Sequence, residues 1–335
     1  MAEAVGGRDY DVVVIGAGPA GLSAALNLAR ARRSVLLLDS NRPRNAATLH
    51  SHGFLTRDGV SPLELRRLGR EEVESYEAAE VHNALVTSVE RSGGEFLVSA
   101  RGVRGAANRA VVATAVVVAA GLSEKLPRLP SLRAYYGTAV HSCMECDGYE
   151  KAGEPLALIG ETSDLAERAM LLSQWSTDLI VFTNGIGVVS DADESLLGSI
   201  GIRVERRPVA DLAGERAEMT GVLLEDGDVI PRTGAFVRPI WVPVLEYLDA
   251  AGPETDGDGF LRVDAGGRTS VPGLYAAGEV TAPGPQQLIV AAGSGAQVAS
   301  AVNRDLVRAR LGEAAPESEA HAIHEAGVDL SGVRP

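Results

Sequence analysis

The chain has 335 residues, of which 45% are hydrophobic and 23% charged, and its formal net charge is −14. This length predicts about two domains, and the acidic balance argues against nucleic acid or an anionic membrane as a partner, because both bind basic surfaces. No apolar run approaches the ~18 residues of a membrane span. The two cysteines exclude a disulfide scaffold and favour a reducing, cytoplasmic location.

Residues 9–40 read DYDVVVIGAGPAGLSAALNLARARRSVLLLDS, a pattern typical of a dinucleotide-binding βαβ unit. It predicts a buried parallel strand over 11–15, a helix over 22–31 and a second strand over 35–38. The GxGxxG glycines suit a pyrophosphate at the helix N-terminus, and the acid that ends the second strand suits ribose hydroxyls. A purely structural turn would not need all of these parts in this order. The residues assigned to these roles are Gly16, Gly18, Gly21 and Asp39.

Both cysteines lie in the stretch SCMECDGYE at 142–150, as Cys143 and Cys146. A zinc site would need four ligands, and no second CxxC or histidine pair stands at ligand spacing. A structural staple is a poor interpretation, because closing so short a loop removes little chain entropy. A redox dithiol fits best, since a thiol at the start of a helix is pushed toward the reactive thiolate. Glu145, between the cysteines, opposes thiolate formation.

The middle of the chain predicts a second βαβ unit, with a strand over 156–160, a helix over 163–174 and a strand over 178–182. Two of the three fingerprint glycines are absent from it, which obstructs the close approach of a pyrophosphate. No lysine or arginine lies between Arg168 and Arg203, although a 2′-phosphate needs basic side chains. We predict that NADPH binding is weakened or lost here. The alternative is a divergent site that takes NADH, or NADPH through residues distant in sequence. The fingerprint positions hold Gly160, Thr162 and Leu165.

Residues 271–297 read VPGLYAAGEVTAPGPQQLIVAAGSGAQ and predict a strand over 274–277, followed by a long helix from Gln287 to about residue 307. Gly278 and Glu279 lie at the tip of the strand. The small residues of the helix would let a flat group lie close to its start.

The motifs GAGPAG, CMECDG and YAAGEV, in this order and spacing, resemble those of low-molecular-weight thioredoxin reductase-like flavoproteins over residues 9–310. The resemblance implies an α/β fold with two Rossmann-like dinucleotide-binding domains, the second inserted in the first, and FAD as cofactor. The AVVVAAG stretch is similar to the strand by which such chains leave the FAD domain, and Glu279 stands where the family has Asp. The implied FAD residues at these motifs are Gly121, Gly278, Glu279 and Gln287. The expected regions are an FAD domain at 9–118 plus 243–312, an insert at 125–238 carrying the CxxC, and a flexible tail at 313–335.

Two further stretches, HGFLTRDG at 52–59 and CDGYE at 146–150, are similar to a subgroup of dithiol oxidases that close disulfides in small sulfur-containing metabolites. Those oxidases often carry CxxCH, whereas this chain has Asp147, as thioredoxin reductases do. The resemblance implies that Cys146 meets the flavin, that Cys143 exchanges with substrate and that Asp147 moves a proton. A helix cap is the structural alternative for Asp147.

We therefore expect an FAD-dependent oxidase that turns a small dithiol into a disulfide, with dioxygen as acceptor. One alternative is an NAD(P)H-dependent reductase acting on thioredoxin or a related protein disulfide. A second alternative is a redox sensor that binds FAD without turnover. The resemblance also implies a homodimer. Sequence alone leaves open whether His50, His52 or His141 belongs to the active site, and whether Tyr149, Trp175 and Trp241 line the substrate site or the core.

Overall fold

The computed structural model describes residues 9–215, 218–282 and 284–312. The expected tail at 313–335 lies outside them. The helices are α1 (Pro19–Arg30), α2 (Pro62–Glu74), α3 (Leu132–Tyr135), α4 (Met144–Asp147), α5 (Leu165–Leu172), α6 (Asp191–Ser199) and α7 (Leu288–Arg310), with 3-10 turns at Arg44–Ala47, Glu246–Leu248 and Gly278–Val280. The strands are β1 (Tyr10–Ile15), β2 (Val35–Asp39), β3 (Ala79–Ser92), β4 (Glu95–Gly102), β5 (Arg109–Val118), β6 (Leu122–Lys125), β7 (Val140–His141), β8 (Leu156–Gly160), β9 (Leu179–Phe182), β10 (Arg203–Glu205), β11 (Val209–Glu215), β12 (Glu218–Leu224), β13 (Val229–Pro231), β14 (Gly234–Arg238), β15 (Ile240–Pro243) and β16 (Leu274–Ala276).

The chain forms two compact units, each with its own sheet and core. Among the described residues, the first unit contains 9–42, Arg66–Gly121 and those within 243–312, and the second contains Pro43–Leu65 and those within 122–242. Pro43–Leu65 packs with the second unit, a grouping that the sequence did not indicate. Gly137 shows why the packing is close: a Cβ on this residue would lie 2.1 Å from the carbonyl oxygen of Ala47.

The first unit is built on a six-stranded sheet. Its parallel part has the order β3-β2-β1-β5-β16, and β4 pairs antiparallel with both β3 and β5. Val13 of β1 stands opposite Leu36 on one side and Val116 on the other. These central strands are covered on both faces, which is why they are continuous apolar runs rather than alternating ones. Each fully buried Val or Leu in them stabilises the fold by about 1.5–3 kcal/mol.

Helices α1 and α7 pack closely on one another because small residues face each other. A Cβ on Gly295 would lie 2.0 Å from the carbonyl oxygen of Ala20, so only glycine allows this approach. Helix α1 begins three residues earlier than predicted, at Pro19, because proline is well suited to the first turn of a helix. Helix α7 begins immediately after Gln287, as predicted.

The second unit has a five-stranded parallel sheet of order β10-β9-β8-β14-β7 and a three-stranded antiparallel sheet, β11-β12-β13. Strands β6 and β15 form a separate pair. The predicted βαβ unit is confirmed as β8, α5 and β9. Helix α5 is shorter than predicted, because Asp164 at its N-cap has a non-helical backbone. The α/β fold with two Rossmann-like sheets is confirmed. No helix in the described part of the chain is long and apolar enough to span a membrane.

Candidate redox and cofactor sites

The turn between β1 and α1 carries the GxGxxG glycines, and each has a different reason to lack a side chain. Gly16 has a φ of +101°, and a Cβ there would lie 2.5 Å from the carbonyl oxygen of Ala119. A Cβ on Gly21 would lie 1.8 Å from the carbonyl oxygen of Gly16. A Cβ on Gly18 would meet no atom within 4 Å. Packing therefore requires the first and third glycines, whereas the second leaves backbone open to a ligand at the N-terminus of α1.

Asp39, at the end of β2, is buried and held by two arginines of α2. Arg66 and Arg70 both pair with its Oδ2, and Arg70 Nη1 lies 3.1 Å from that oxygen. Arg66 also donates to the carbonyl oxygen of Ala17, at 3.2 Å, and to Asn41 Oδ1, at 2.9 Å. Through Arg66, Asp39 is thus tied to the glycine turn. Two cations around one carboxylate leave a net positive charge, which suits a phosphate-bearing cofactor.

The C-terminal motif meets the N-terminal one at the same edge of the sheet, since β1, β5 and β16 run parallel. Gly278 has a φ of +74°, and a Cβ on it would lie 2.9 Å from Ala20 Cβ at the start of α1. Its backbone N–H donates to Ser294 Oγ of α7, at 3.0 Å. Gly121, with a φ of +67°, follows the end of β5. Glu279 lies in the 3-10 turn after β16. The glycine turn, the buried acid and this edge fit a dinucleotide such as FAD.

The cysteines form a disulfide at the start of the single-turn helix α4. Cys143 is the N-cap residue, its Cα lies 5.2 Å from that of Cys146, and both are half-buried. Asp147 donates its backbone N–H to the carbonyl oxygen of Cys143, at 3.2 Å, which closes the turn. Glu145 Oε2 lies 4.0 Å from Cys143 Sγ. This is a contact rather than a hydrogen bond, because a disulfide sulfur carries no proton. The carboxylate opposes a thiolate at Cys143 once the disulfide is reduced.

Gly148 is required by packing rather than by backbone conformation. A Cβ on it would lie 2.7 Å from the Trp175 ring and 2.5 Å from the carbonyl oxygen of Met144. Trp175 therefore belongs to the core beneath the CxxC turn. The guanidinium of Arg238 stacks on Trp241, with its Cζ 3.9 Å from the centroid of the ring. Tyr149, in contrast, is 82% exposed beside the CxxC turn.

A polar network holds the residue that precedes Cys143. Arg168 of α5 donates to the Ser142 carbonyl oxygen at 3.2 Å. The Tyr136 hydroxyl lies 2.8 Å from Ser142 Oγ and 2.7 Å from Glu124 Oε2. Burial and the neighbouring Glu124 raise the pKa of Tyr136, so it stays a neutral donor. Arg44, from Pro43–Leu65, lies 3.8 Å from Glu124. Sequence reasoning missed this network, because its members come from several separate elements of the fold.

His141 is the histidine that touches a predicted catalytic residue. Its Nε2 lies 2.9 Å from the Thr138 carbonyl oxygen and its Nδ1 lies 3.1 Å from Asp147 Oδ1. The Nδ1 contact is short, but its geometry is not that of a full hydrogen bond. The His141 side chain is only 8% exposed. Sequence reasoning left this residue undecided, and the fold places it against the acid that follows the CxxC.

His52 joins the two stretches that resemble the dithiol oxidase subgroup. Its Nε2 lies 3.4 Å from Glu150 Oε1, and its Nδ1 lies 3.7 Å from Asp58 Oδ1. His50 lies 6.4 Å from His52, ring to ring, and its Nδ1 is 3.1 Å from the Gly59 carbonyl oxygen. The HGFLTRDG and CDGYE stretches are therefore in contact in the second unit.

The turn after β8, where a second dinucleotide would bind, is occupied by the chain's own side chains. Arg238 Nε donates to Asp164 Oδ2, at 2.6 Å, and Thr162 donates to Asp164 Oδ1, at 2.5 Å. Burial opposes ionisation of Asp164, but the hydrogen bonds from Thr162 and Arg238 hold its pKa below the usual value. A carboxylate thus stands at the N-cap of α5, the position where a pyrophosphate would sit.

The loop after β9 folds back onto the same turn. Val188 donates its backbone N–H to the Thr162 carbonyl oxygen, at 3.3 Å, and Asn184 donates to Glu161 Oε1, at 2.7 Å. A Cβ on Gly187 would lie 2.8 Å from the Gly160 carbonyl oxygen, so the loop lies directly against the β8 turn. In the ranges that the structure describes, no group of three His, Cys, Asp or Glu side chains could hold a metal ion.

Comparison with known protein families places this chain among flavin-dependent disulfide enzymes. A family model described as pyridine nucleotide-disulphide oxidoreductase matches residues 10–295. The chain therefore belongs to the pyridine nucleotide-disulphide oxidoreductase family. Its cofactor is FAD, in agreement with the cradle at β1, α1 and Asp39.

Relatives of known structure cover nearly the whole chain. HlmI is 39% identical, with a TM-score of 0.84 over 92% of this chain and 95% of that one. The TrxB protein of Bacillus anthracis is 36% identical, with a TM-score of 0.84 over 90% of this chain and 99% of that one.

Proteins related in sequence also include thioredoxin reductases. The thioredoxin reductase sirT of Leptosphaeria maculans is 27% identical over 310 residues, which are 88% of this chain and 93% of that protein. A protein of Arthroderma benhamiae is 35% identical over 180 residues, and that match spans only 44% of its length. This chain is thus a thiol-disulfide oxidoreductase of the thioredoxin reductase type.

Proposed function

We propose that this protein oxidises a small dithiol to a disulfide, with FAD as the first electron acceptor and dioxygen as the last. The observation that carries the proposal is the occupied turn after β8. A reductase receives its electrons from a nicotinamide nucleotide, which needs an open phosphate site. Here Asp164 and its partner Arg238 fill that position. A dithiol oxidase needs no such site.

Charge and space in that turn both oppose a nucleotide. The pyrophosphate would face the carboxylate of Asp164, whose low pKa keeps it ionised at neutral pH. If the Asp164 side chain moved aside to admit the pyrophosphate, Arg238 would lose its ion-pair partner. The loop that carries Val188 would also have to move, since it is hydrogen-bonded to the turn. Glu161 already accepts a hydrogen bond from Asn184. It is therefore less available to a ribose hydroxyl than a carboxylate without such a bond would be.

The proposed exchange uses the disulfide of α4. A substrate thiolate attacks Cys143, the bond to Cys146 breaks, and Cys146 leaves as a thiolate. The second substrate sulfur then attacks the first, which releases a cyclic disulfide and leaves Cys143 reduced. The one thiol proton that the attacking substrate still carries passes to the protein side, with Asp147 as the proposed carrier, and the electron pair rests on the cysteines. When bound, FAD supplies the acceptor for this pair, and dioxygen takes it to become hydrogen peroxide.

The second candidate is a reductase that runs in the opposite direction, and the names of the relatives favour it. Thioredoxin reductases such as sirT are similar along most of the chain. Its partner would be a thioredoxin-like protein disulfide, for which the exposed Tyr149 offers a contact. We further propose that residues 9–118 and 243–312 form the FAD domain and that residues 125–238 form the insert carrying the CxxC. We also propose that the enzyme is a cytoplasmic homodimer. A sensor without turnover would leave the CxxC without a role.

Anaerobic flavin bleaching separates the two directions. The purified yellow protein is mixed, without oxygen, with NADPH, NADH or a small dithiol, and the loss of flavin absorbance is followed in time. We expect rapid bleaching by the dithiol alone, and hydrogen peroxide when air is readmitted. The matched control is Cys146→Ser, which should bind FAD but not bleach with dithiol. Rapid bleaching by either nucleotide would overturn the oxidase and establish the reductase.

A further inference from the structure

Helix α2 carries two arginines on the face that packs against the core of the first unit. The residues that share this face, at positions i, i+3, i+4 and i+7, are Arg66, Gly69, Arg70 and Val73. Val73 is fully buried, and a Cβ on Gly69 would lie 3.0 Å from Leu22 Cδ1 of α1. The side chains of Arg66 and Arg70 are only 12% and 19% exposed. Arginine is seldom buried unless its charge is paired, so these two side chains have a role beyond packing.

Arg66 binds three separate parts of the first unit with one guanidinium. Its Nη2 pairs with Asp39 Oδ2, its Nη1 donates to Asn41 Oδ1 at 2.9 Å, and its Nε donates to the Ala17 carbonyl oxygen at 3.2 Å. We propose that Arg66 is a positioning residue of the FAD site, which orients the backbone of the glycine turn for the pyrophosphate. This role concerns how FAD is held rather than how it is reduced, so it goes beyond the proposed function and holds for either direction of electron flow.

The contact with Ala17 fixes a peptide plane in the glycine turn. The Ala17 carbonyl and the Gly18 N–H belong to one planar trans peptide unit, so they point in opposite directions. Arg66 Nε on the carbonyl oxygen therefore directs the Gly18 N–H away from the guanidinium. The Ala17 N–H is held as well, because it lies 3.5 Å from Asp39 Oδ1. Gly18 is the glycine on which a Cβ would meet no atom within 4 Å, so its N–H is presented to a ligand at the N-terminus of α1.

Arg70 shares the acid with Arg66 but has different further contacts. Its Nη1 donates to Asp39 Oδ2 at 3.1 Å, and its Nη2 donates to Asn83 Oδ1 at 3.0 Å. Asp39 and Asn83 are paired residues of β2 and β3. Arg70 thus ties two strand ends together, whereas Arg66 is the one of the two arginines that reaches the glycine turn. The two roles can therefore be separated by substitution.

Asn41 supports Arg66 from the loop that follows β2. A guanidinium can only donate hydrogen bonds, so the Asn41 atom that faces it is the amide oxygen. Asn41 has a φ of +57°, in the left-handed region that asparagine tolerates better than most residues. In this conformation the loop brings the Asn41 side chain to Arg66. Asn41 lies outside the core, so its substitution tests the role of Arg66 without disturbing the packing of α2.

The test measures FAD affinity rather than turnover. The holoprotein is diluted in steps, free FAD is separated by ultrafiltration, and its concentration gives the Kd. We expect Arg66→Met and Arg66→Lys both to bind FAD about 10- to 100-fold more weakly, because charged hydrogen bonds to the turn and the acid are lost. Lysine keeps the charge, but its ammonium is a point charge without the fork that joins three acceptors. Arg70→Met should fall between wild type and Arg66→Met, because the glycine turn keeps its contact.

The matched control is Arg67→Met, one position further along α2, since Arg67 is exposed and pairs with Glu71 of the same helix. It should bind FAD as the wild type does. If circular dichroism shows that the Arg66 variants do not fold, Asn41→Gly provides the test, because glycine accepts a positive φ and removes the amide. It should weaken FAD binding by about 3- to 10-fold.

Three results would each overturn the role of Arg66. These are wild-type affinity in Arg66→Lys, wild-type affinity in Asn41→Gly, and an equal loss of affinity in Arg66→Met and Arg70→Met. The first would show that charge alone matters, and the last would show that the hold on Asp39, not the contact with Ala17, decides FAD binding. The proposed function would survive all three, because anaerobic bleaching is followed on protein saturated with FAD.

Discussion

At the scale of single residues, the CxxC turn depends on a glycine, whose lack of a side chain allows close packing. Gly148 follows Asp147 and lies against Trp175, so the CxxC turn is seated directly on an indole ring. The core under the turn includes Met144, which is 2% exposed. Interiors are close-packed, so even one methyl group is felt there.

Gly148→Ala should therefore destabilise the protein by about 1–3 kcal/mol, because the new methyl group would overlap Trp175 and the Met144 carbonyl. The free energy of unfolding from urea titration, followed by tryptophan fluorescence, measures this loss. The matched control is Gly198→Ala in α6, where an added Cβ meets nothing within 4 Å. Alanine is the better helix former, so the control should gain up to about 1 kcal/mol. Equal effects at the two glycines would contradict the packing argument.

At the scale of elements, one buried ion pair fastens α7 to the sheet of the first unit. Asp305 of α7 accepts from Arg268 at 2.6 and 2.8 Å and from the hydroxyl of Tyr275, in β16, at 2.8 Å. Burial alone would raise the pKa of Asp305, but these hydrogen bonds hold it below its usual value. The C-terminal part of α7 is thereby held against β16, the strand that leads to Gly278.

Asp305→Asn should cost about 1.5–3 kcal/mol near pH 7, because it removes charged hydrogen bonds from Arg268, which keeps Asp264 as a carboxylate partner. Since the folded pKa of Asp305 is lowered, the ion pair contributes its stability above the unfolded value of about 3.9. That contribution is lost as pH falls through the folded pKa. The difference between wild type and variant in urea unfolding should thus stay level from about pH 7 to about pH 5 and shrink between about pH 5 and about pH 3. A difference that stays constant over this range would show that ionisation of Asp305 is not the cause. The exposed pair of Arg67 and Glu71 is the control, and Glu71→Gln should change stability by less than about 0.5 kcal/mol.

Local sequence patterns predicted the strand, turn and helix at the cofactor site well. They predicted the contacts between distant segments poorly. The strand, glycine turn and helix at β1 and α1 were predictable because each part is specified by its own few residues. The hold of Arg66 and Arg70 on Asp39 was not, because α2 was not assigned from sequence; the i,i+4 spacing of the two arginines was the available signal. The packing of Pro43–Leu65 with the second unit depends on the Gly137–Ala47 approach, which leaves no local pattern. The contact of His141 with Asp147 was likewise invisible until the chain was folded.

At the scale of the whole molecule, charge selects among thiols. The net charge of −14 creates an average negative potential that disfavours the approach of anions. Near the exchange sulfur this field is reinforced, because Glu145 lies 4.0 Å from Cys143 Sγ. A dithiol that carries a carboxylate is repelled both by the net charge and by Glu145. A dithiol without a carboxylate carries only the charge of its attacking thiolate and is repelled less, which agrees with a small metabolite as substrate.

The rate of disulfide reduction should therefore depend on salt more strongly for dithiols that carry a carboxylate than for those that do not. Dihydrolipoate, an anion, should reduce the Cys143–Cys146 disulfide faster as the ionic strength rises from about 0.01 M to about 1 M, since the Debye length falls from about 30 to about 3 Å. The gain should be about tenfold. Dithiothreitol, whose only charge is that of its attacking thiolate, should gain clearly less than dihydrolipoate over the same range. Glu145→Gln should raise the low-salt rate with dihydrolipoate and shrink its salt dependence, because it removes the carboxylate nearest to the sulfur. If dihydrolipoate slows with added salt, a basic group rather than Glu145 governs its approach to Cys143.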